Sequence, residues 1–471
     1  MEEKIILTRD LSSSAAEADF EEISLFFEEK IREKRYRELK ELIATIPSAD
    51  MAEIFENTDK AHQSTLFRLM SKEAAADAFT NLQPDTQRRL IESFTDIELS
   101  EILEELYIDD TVDLIEEMPA IVVKRILKSS TKEDRDVINT ILRYPKHSAG
   151  SVMTTEYVRF LENMNVEEAL THIRRVAIDK ETIYTCYVTD RDRHLLGVVT
   201  AKQLLTAELD TPLTDIMDEG IIYVNTHDDR EEVAHKLNRY GFLAMPVADS
   251  EGRLVGIITL DDAVDVIKEE SEEDFAKMAA ITPTEAPYLK TSVIKIWLAR
   301  LPWLLILMLS STISSTILGG FEAALPAVLV LFVPMIMGTG GNSGGQSSVT
   351  VTRSISLSEI EFSDIGRVFW KELRVGLLSG GVLGVVTFIK VVLIDKLLLN
   401  NPSITVLVAG VVALSLTVTI IAAKLIGAIL PILAKKIGLD PAVMASPLIT
   451  TLVDALSLVI YFAVASATLP V

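Results

Sequence analysis

The order of apolar and polar positions divides the chain into stretches of different character. Across residues 20–145, apolar side chains such as Leu39, Leu42, Ile43 and Ile46 recur at three- and four-residue spacing among many charges, the signature of amphipathic helices. Prolines at 47, 84, 119 and 145 punctuate this stretch. It therefore predicts short helices of about 8–12 residues, stacked as a superhelical bundle. Across 151–268, short runs rich in Val and Ile alternate with helical segments, a mixed α+β pattern. Beyond them the chain holds long uncharged runs: Leu301–Gly320, Ala323–Thr352, Val375–Ile394 interrupted only by Lys390, Leu397–Ala423, and Pro441–Val471 interrupted only by Asp454. A helix rises 1.5 Å per residue, so about 20 apolar residues cross the hydrocarbon of a bilayer. Five transmembrane helices are predicted. The fold class is multidomain: an all-α superhelical N-terminal domain, an α+β pair, and a five-helix α transmembrane domain.

The middle stretch contains an internal repeat. Ser151-Val-Met153 returns as Asp215-Ile-Met217, Val166-Glu-Glu-Ala-Leu170 as Arg230-Glu-Glu-Val-Ala234, and Leu196-Gly-Val-Val-Thr200 as Val255-Gly-Ile-Ile-Thr259. Two copies of about 60 residues, each helix, short strands and helix, resemble a tandem CBS pair, a ligand-sensing regulatory module. CBS repeats that bind adenine nucleotides often end a Thr-x-x-Asp segment in an Asp for the ribose. Thr259-Leu-Asp-Asp262 satisfies that pattern, while the first repeat has Gln203 at the matching place. Thr259 and Asp262 are thus candidate nucleotide-binding residues, with ATP as a ligand of the pair.

Charge sharpens this division. Of 471 residues, 45 are Lys or Arg and 69 are Asp or Glu, a formal net charge of −24. Residues 286–471 hold 12 basic and 8 acidic side chains against 33 and 61 in residues 1–285, so the front part carries −28 and the rest +4. An acidic front part without a basic patch excludes nucleic acid as a partner. The single cysteine, Cys186, excludes an intrachain disulfide framework and thiolate-rich metal sites. Met1–Asp10 has no basic segment followed by an apolar one, so no cleavable signal peptide is expected. Lys290, Lys295 and Arg300 precede the first span. Arg353, Arg367, Lys371 and Arg374 lie in or beside the second connection, and Lys435 and Lys436 in the fourth, whereas the alternate connections hold only Lys396. Basic flanks stay on the cytoplasmic side of the cell membrane, which puts the N-terminus inside and the C-terminus outside.

Candidate chemistry concentrates in the last span. A carboxylate deep in an apolar helix costs several kcal/mol unless it faces a polar pathway or a partner, and Asp454 is such a carboxylate. Ser446, Thr450, Asp454, Ser457 and Tyr461 recur at three and four residues, so their oxygens are expected along one stripe. Pro447 lacks an N–H and would free the carbonyl of Val443. An oxygen-rich wall without His or Cys suits a hard cation; a purely structural buried Asp is the alternative. The second predicted helix ends in Gly338-Thr-Gly-Gly-Asn-Ser-Gly-Gly-Gln-Ser-Ser348. No Lys follows the glycines, which excludes a P-loop, and Ser343 breaks a dinucleotide fingerprint. Small residues at that depth serve close helix approach or an unwound cavity-lining segment, the alternative being an interfacial turn. No nucleophile–base pair points to an enzyme.

PMIMGTGGNSGGQSSVTVTRS at Pro334–Ser354, ASPLITTLVDALSLVIYF at Ala445–Phe462 and YPKHSAGSVMTTEYV at Tyr144–Val158 resemble the MgtE family of bacterial magnesium channels, as does the order of the domains. The resemblance implies a homodimer with a pore on its twofold axis, Mg2+ uptake across a lipid membrane, and closure when cytosolic Mg2+ fills sites between acidic domains. It divides the chain into an acidic all-α domain (1–145), a tandem CBS pair (146–268), a connecting helix that plugs the pore (269–290, with Ser271–Lys290 as the counterpart), and a pore domain (291–471). Carried over by residue, the pore aspartate matches Asp454, with Thr450 and Ser446 one and two turns earlier; the family often has Asn where Ser446 stands. Sensor acids match Asp109 and Asp113 in the helical domain, with Asp77 a weaker match. Others are Asp229, Glu231, Asp262 and Asp265 in the second repeat, and Glu270, Glu273 and Asp274 on the connecting helix. Gly241 falls where a homologue can have Asp, removing one ligand. One Asp per chain cannot neutralise a dication, whereas a twofold pair can. Magnesium sheds water reluctantly, so these carboxylates are expected to meet its hydration shell. The rival readings are a channel for Co2+ or Mn2+ and a membrane-anchored nucleotide sensor without transport.

Overall fold

The computed structural model describes residues 16–284, 288–289, 291–322, 326–357, 359–444 and 446–469. Lys290 and the side chain of Ser446 lie outside the described residues. The chain falls into two compact units, Met1–Ile267 and Lys268–Val471.

The first unit opens with ten helices among its described residues: α1 (Ala16–Arg32), α2 (Tyr36–Ile43), α3 (Ser48–Asn57), α4 (Lys60–Phe67), α5 (Lys72–Thr80), α6 (Pro84–Ser93), α7 (Asp96–Leu103), α8 (Ile108–Glu117), α9 (Ala120–Ser129) and α10 (Lys132–Ile141). From α2 onward the residues before each helix are Arg35, Pro47, Asp59, Ser71, Gln83, Thr95, Tyr107, Pro119 and Thr131, spaced by 12 throughout. The stops are chemical. Side chains of Asp59, Ser71, Thr95 and Thr131 accept backbone N–H groups of the first turn, and Pro47, Pro84 and Pro119 stand at helix starts, where a missing N–H costs nothing. Phe55, Phe67 and Phe79 repeat at the same interval and bring their rings together at 5.8 and 6.2 Å. From α3 to α10, packing is chiefly onto the helix two places along, so a one-helix repeat winds into the superhelix that the short apolar periods predict.

Two small sheets follow, built alike. β1 (Tyr157–Leu161) pairs parallel with β2 (Thr182–Thr189), which pairs antiparallel with β3 (Leu195–Thr200); β4 (Val224–Asn225), β5 (Ala244–Ala248) and β6 (Leu254–Thr259) repeat that order. Helices α11 (Val166–Val176), α12 (Ala201–Thr206), α13 (Leu213–Ile216) and α14 (Arg230–Tyr240) complete the pair. The repeated Met and Gly motifs have a shared purpose. Met153, leading into the first repeat, covers Gly256 on β6, and Met217, leading into the second, covers Gly197 on β3; a β-carbon at either glycine would collide with that side chain. Thr154 and Ile257 exchange backbone hydrogen bonds of 2.9 Å, as Val198 and Asp218 do at 3.0 and 2.9 Å. Each repeat thus completes the other's sheet.

Helix α15 (Leu260–Met278) runs from the second repeat into the second unit. The connecting helix expected over 269–290 is therefore the second half of a longer helix that ends twelve residues early. Among the described residues, five helical segments are long and apolar enough to cross a membrane: Val293–Phe321, Ala327–Ser356, Phe362–Leu398, Val406–Lys436 and Pro441–Thr468. Their α-helices are α16 (Val293–Glu322), α17 (Val333–Ser356), α18 (Ile365–Lys390), α19 (Val406–Lys436) and α20 (Ser446–Thr468). Three expectations are corrected here. The glycine-rich segment neither ends its helix nor unwinds but lies inside α17. The third span begins ten residues early, so Arg367, Lys371 and Arg374 ride on α18 itself. The fourth, expected over Leu397–Ala423, starts at Val406 and continues to Lys436, because Lys424 is buried within it at 7% exposure instead of ending it. In this unit α17, α19 and α20 pack on one another, with α18 against α19 and α16 against α20.

Candidate ion pathway and acidic cluster

Glycine decides how closely α17 approaches its neighbours. A β-carbon at Gly340 would lie 2.7 Å from Thr419 Cγ2 and 2.8 Å from Ser457 Oγ; at Gly341, 2.8 Å from Thr450 Cγ2 and 3.5 Å from Asp454 Oδ1; at Gly344, 3.0 Å from Ile449 Cγ2. Of the readings open for this segment, close helix approach is the one the backbone adopts. Hydroxyls on α17 then tie it to the turn before α20: Ser348 Oγ donates to the Met444 carbonyl at 3.1 Å, and Thr352 Oγ1 to that of Pro441 at 3.4 Å.

The expected oxygen stripe on α20 divides in two. Ser457 and Tyr461 are fully buried and spent on structure, Ser457 Oγ donating to the Val453 carbonyl at 2.6 Å and Tyr461 Oη to the Leu329 carbonyl at 2.8 Å. Thr450 and Asp454 remain half-buried. The Asp454 carboxylate has no hydrogen bond or ion pair among the described residues. Pro447 stands in the first turn of α20, where it frees no interior carbonyl. Glu372 on α18, which accepts from Ser347 Oγ at 2.7 Å, and Lys424 on α19 are further charges within the long apolar helices that hydropathy alone passed over.

The first unit holds a second concentration of charge. Asp109, on the first turn of α8, Glu156, just before β1, and Glu181, just before β2, bring carboxylate oxygens within 4.8 Å of one another, an arrangement able to hold a metal ion. Backbone bonds hold it: Ile108 N–H donates to Glu156 Oε2 at 3.1 Å, and Glu181 N–H to the Glu156 carbonyl at 2.9 Å. Asp109 is 8% exposed, and Glu181 Oε2 is buried without a hydrogen-bond partner. None of Asp109, Asp110, Glu156, Glu181 and Asp262 makes an ion pair with Lys or Arg among the described residues. Burial pushes every one of these acids upward, and repulsion from neighbouring acids adds to it. Asp110 rises to about 7 through burial and then Asp262 and Asp261. Glu181 rises to about 8 for the same reasons. Asp109 is raised well above the carboxylate range by burial and then by Asp262, Asp110 and Glu181, and Asp262 is raised despite its bond from Thr259.

Other expected ligands are placed apart from this core. Asp77 is exposed on α5 and contributes, after Glu181 and Glu156, to the field around Tyr107. Asp113 is exposed one turn beyond Asp109, and Asp265 one turn beyond Asp261 on α15. Asp229 caps α14, its Oδ1 accepting from Glu231 and Glu232 N–H at 2.9 and 3.3 Å, while Glu231 approaches His235 at 3.7 Å. Gly241 ends that helix at φ +66°, a left-handed conformation that disfavours any side chain, so the departure noted at this position has a backbone reason. Thr259 and Asp262 come together, but with each other: Thr259 N–H and Oγ1 both donate to Asp262 Oδ2. Thr200 and Gln203 form the same cap in the first repeat. Glu270, Glu273 and Asp274 lie half-buried on α15. Glu273 Oε1 is 2.5 Å from Lys277 Nζ, which also meets Asp440 Oδ2 at 2.6 Å, and Asp274 Oδ2 accepts from Ser356 Oγ at 2.9 Å. Burial pulls Lys277 down, but the two carboxylates outweigh it and hold the ammonium above the ordinary lysine range.

Comparison with known proteins is decisive at this point. A family model described as a divalent cation transporter, MgtE, matches residues 333–464; the MgtE intracellular N domain matches 46–147, and CBS domains match 149–210 and 213–269. The magnesium transporter MgtE of Thermus thermophilus is 37% identical over 453 residues, covering 94% of this chain and 98% of that protein. The chain belongs to the MgtE family. The Bacillus subtilis MgtE is 32% identical over 93% of this chain and 95% of its own. Two solved structures match the cytosolic region: the cytosolic domain of the Mg2+ channel MgtE in complex with ATP (35% identity, TM-score 0.50, 52% of this chain, 100% of that one), and the soluble part of a magnesium transporter (30%, 0.50, 54% and 99%). Beside the MgtE motifs, Asp110, Glu156, Glu181, Lys277 and Asp440 escaped sequence reasoning. Glu156, Glu181 and Asp440 come from turns and strand edges and Asp110 and Lys277 from helices α8 and α15, and no shared spacing marks them.

Proposed function

We propose that this protein is a magnesium-selective channel of the cell membrane, a transporter rather than an enzyme, with its N-terminus in the cytoplasm and its C-terminus outside. The observation that carries the reading is Asp454: a half-buried carboxylate in an otherwise uncharged span, without a partner among the described residues and kept against Gly341 by close helix packing. Its relatives' activity as magnesium transporters supports the choice of ion. A homodimer supplies the second carboxylate. Two Asp454 side chains across a twofold axis balance one dication and accept hydrogen bonds from its retained water, with Thr450 and Ser446 lining the path on one side.

The cluster of Asp109, Glu156 and Glu181, with Asp110 and Asp262 beside it, is the regulatory site on this reading. Buried acids lacking a cation repel one another, and a dication that joins them replaces repulsion with attraction. Rising cytosolic Mg2+ then favours the closed channel, with the outlying acids Asp77, Asp113, Asp229, Glu231, Asp265, Glu270, Glu273 and Asp274 as weaker contributors. ATP is a second ligand of the CBS pair, supported by the ATP complex of the similar cytosolic domain; binding it would require Asp262 to exchange its cap bond for the ribose. Flux of Mg2+ into proteoliposomes, with magnesium varied on the cytosolic side, tests both parts. The expected result is transport that falls as that magnesium rises and disappears in Asp454→Ala; wild-type flux through Asp454→Ala protein would sink the pore assignment.

A further inference from the structure

The last turn of α15 is fastened to the second unit by a cation the chain itself supplies. Lys277 Nζ lies 2.6 Å from Asp440 Oδ2 and 2.5 Å from Glu273 Oε1. Asp440 is held for this contact, since its other oxygen accepts the Ala442 N–H at 2.8 Å and so caps the Pro441–Met444 turn that leads into α20. One turn of α15 away, Asp274 accepts from Ser356 Oγ at the end of α17. Beyond the helix, Thr282 N–H donates to the Ala299 carbonyl of α16 at 3.0 Å. The end of α15 and the residues just after it therefore contact three of the long apolar helices or the turns that lead into them, including the one that carries Asp454.

Without Lys277 this contact would set Glu273 and Asp274 against Asp440 and be repulsive. We propose that the Lys277 ammonium is a tethered cation, standing where a bound metal ion would otherwise be needed to hold α15 to the Asp440 turn. Part of the closing contact then forms without magnesium, and the free ion has only the rest to complete. This rests on the reading of a channel closed by cytosolic magnesium and adds a built-in bias toward closure. A neutral side chain at 277 transfers the bridging to magnesium itself, so closure requires more of the ion and depends on it more steeply. Arginine preserves the bridge.

The test uses the full-length channel in proteoliposomes, with flux followed as cytosolic-side magnesium is raised. Lys277→Met is expected to increase the half-closing magnesium concentration by about fivefold or more, a typical size for coupling between sites, and Lys277→Arg to stay near wild type. If Lys277 acts through Asp440, the effects of Lys277→Met and Asp440→Asn are not additive in the double variant. A Lys277→Met channel that closes at the wild-type concentration overturns the inference alone. Additive effects of the two substitutions overturn the proposed partner and the bridge with it. A wild-type channel indifferent to cytosolic magnesium overturns the gating reading as well.

Discussion

Asp454 and the cluster around Asp109 present the same functional group in opposite settings. On α20 one carboxylate stands in an otherwise uncharged span, half-buried and without a partner among the described residues, with glycine backbone drawn up against it. In the first unit several carboxylates crowd together, with burial and the repulsion of nearby acids acting on them. A lone acid beside a pathway can bind an ion weakly and release it. A crowded, buried set stores repulsion that only protons or a cation relieve, which suits a switch. On the proposed reading, the number of neighbouring acids, more than the acid itself, separates conduction from sensing.

The sharpest way to break this contrast is to neutralise each side in turn. Asp454→Asn keeps the size and removes the charge; it is expected to lower magnesium flux by roughly a hundredfold, corresponding to about 2–3 kcal/mol of charge-assisted binding. Thermal stability should scarcely change, because no protein group loses a partner. Flux within twofold of wild type would show that the charge is not what conducts.

Neutralising the cluster should do the reverse. Above about pH 8, where both acids are ionised, Asp109→Asn with Glu181→Gln removes two buried charges that repel their neighbours, so without magnesium the first unit gains about 1–3 kcal/mol of stability. Magnesium should then stabilise it less, and the channel should stay open at higher cytosolic magnesium. Calorimetry in chelator and in magnesium measures the first two effects. A destabilised double variant would mean that these acids make structural contacts beyond those described.

Legibility follows the same divide. Asp454 was visible from sequence because an isolated charge in an apolar run is a local anomaly, and the five spans were visible because a bilayer demands length. The cluster was visible only through Asp109 and Asp262. Glu156 and Glu181 precede strands β1 and β2, and tertiary packing alone unites them. The twelve-residue repeat of α2–α10 was missed for a different reason: its caps are Arg, Pro, Asp, Ser, Gln, Thr and Tyr, chemically unlike residues at one structural position. Lys424 misled in the other direction, since a buried lysine does not end a helix that neighbouring spans enclose.

Gly341→Ala sharpens the comparison from the pore side. Its methyl group would press on Thr450 Cγ2 at 2.8 Å, so α17 and α20 must part by several tenths of an ångström. Overpacking of this kind costs about 1–3 kcal/mol, and flux should fall while the magnesium concentration for closure stays put. A shift in closure with normal flux would tie this packing to the gate instead.

The smallest expected effect is a pH dependence confined to the cluster. Asp110 and Glu181 are held at about 7 and about 8 in the folded unit, and Asp109 and Asp262 are raised as well, whereas unfolded carboxylates titrate near 4. Between those limits the folded state binds more protons than the unfolded one, so stability is fully present below about pH 4 as far as these groups are concerned and is lost as pH rises toward about 8. In chelator, therefore, the first unit should melt at a higher temperature at pH 6 than at pH 8. Separation of the acids as they ionise will blunt the change to a few degrees, of the order expected for about 1 kcal/mol. Magnesium takes the place of the protons, so saturating magnesium should flatten the profile and release protons into a weakly buffered solution as it binds. Asp454 belongs to the other unit, so Asp454→Asn should leave both the slope and the proton release of the first unit unchanged. Equal slopes with and without magnesium would mean that the cluster is not where the ion binds.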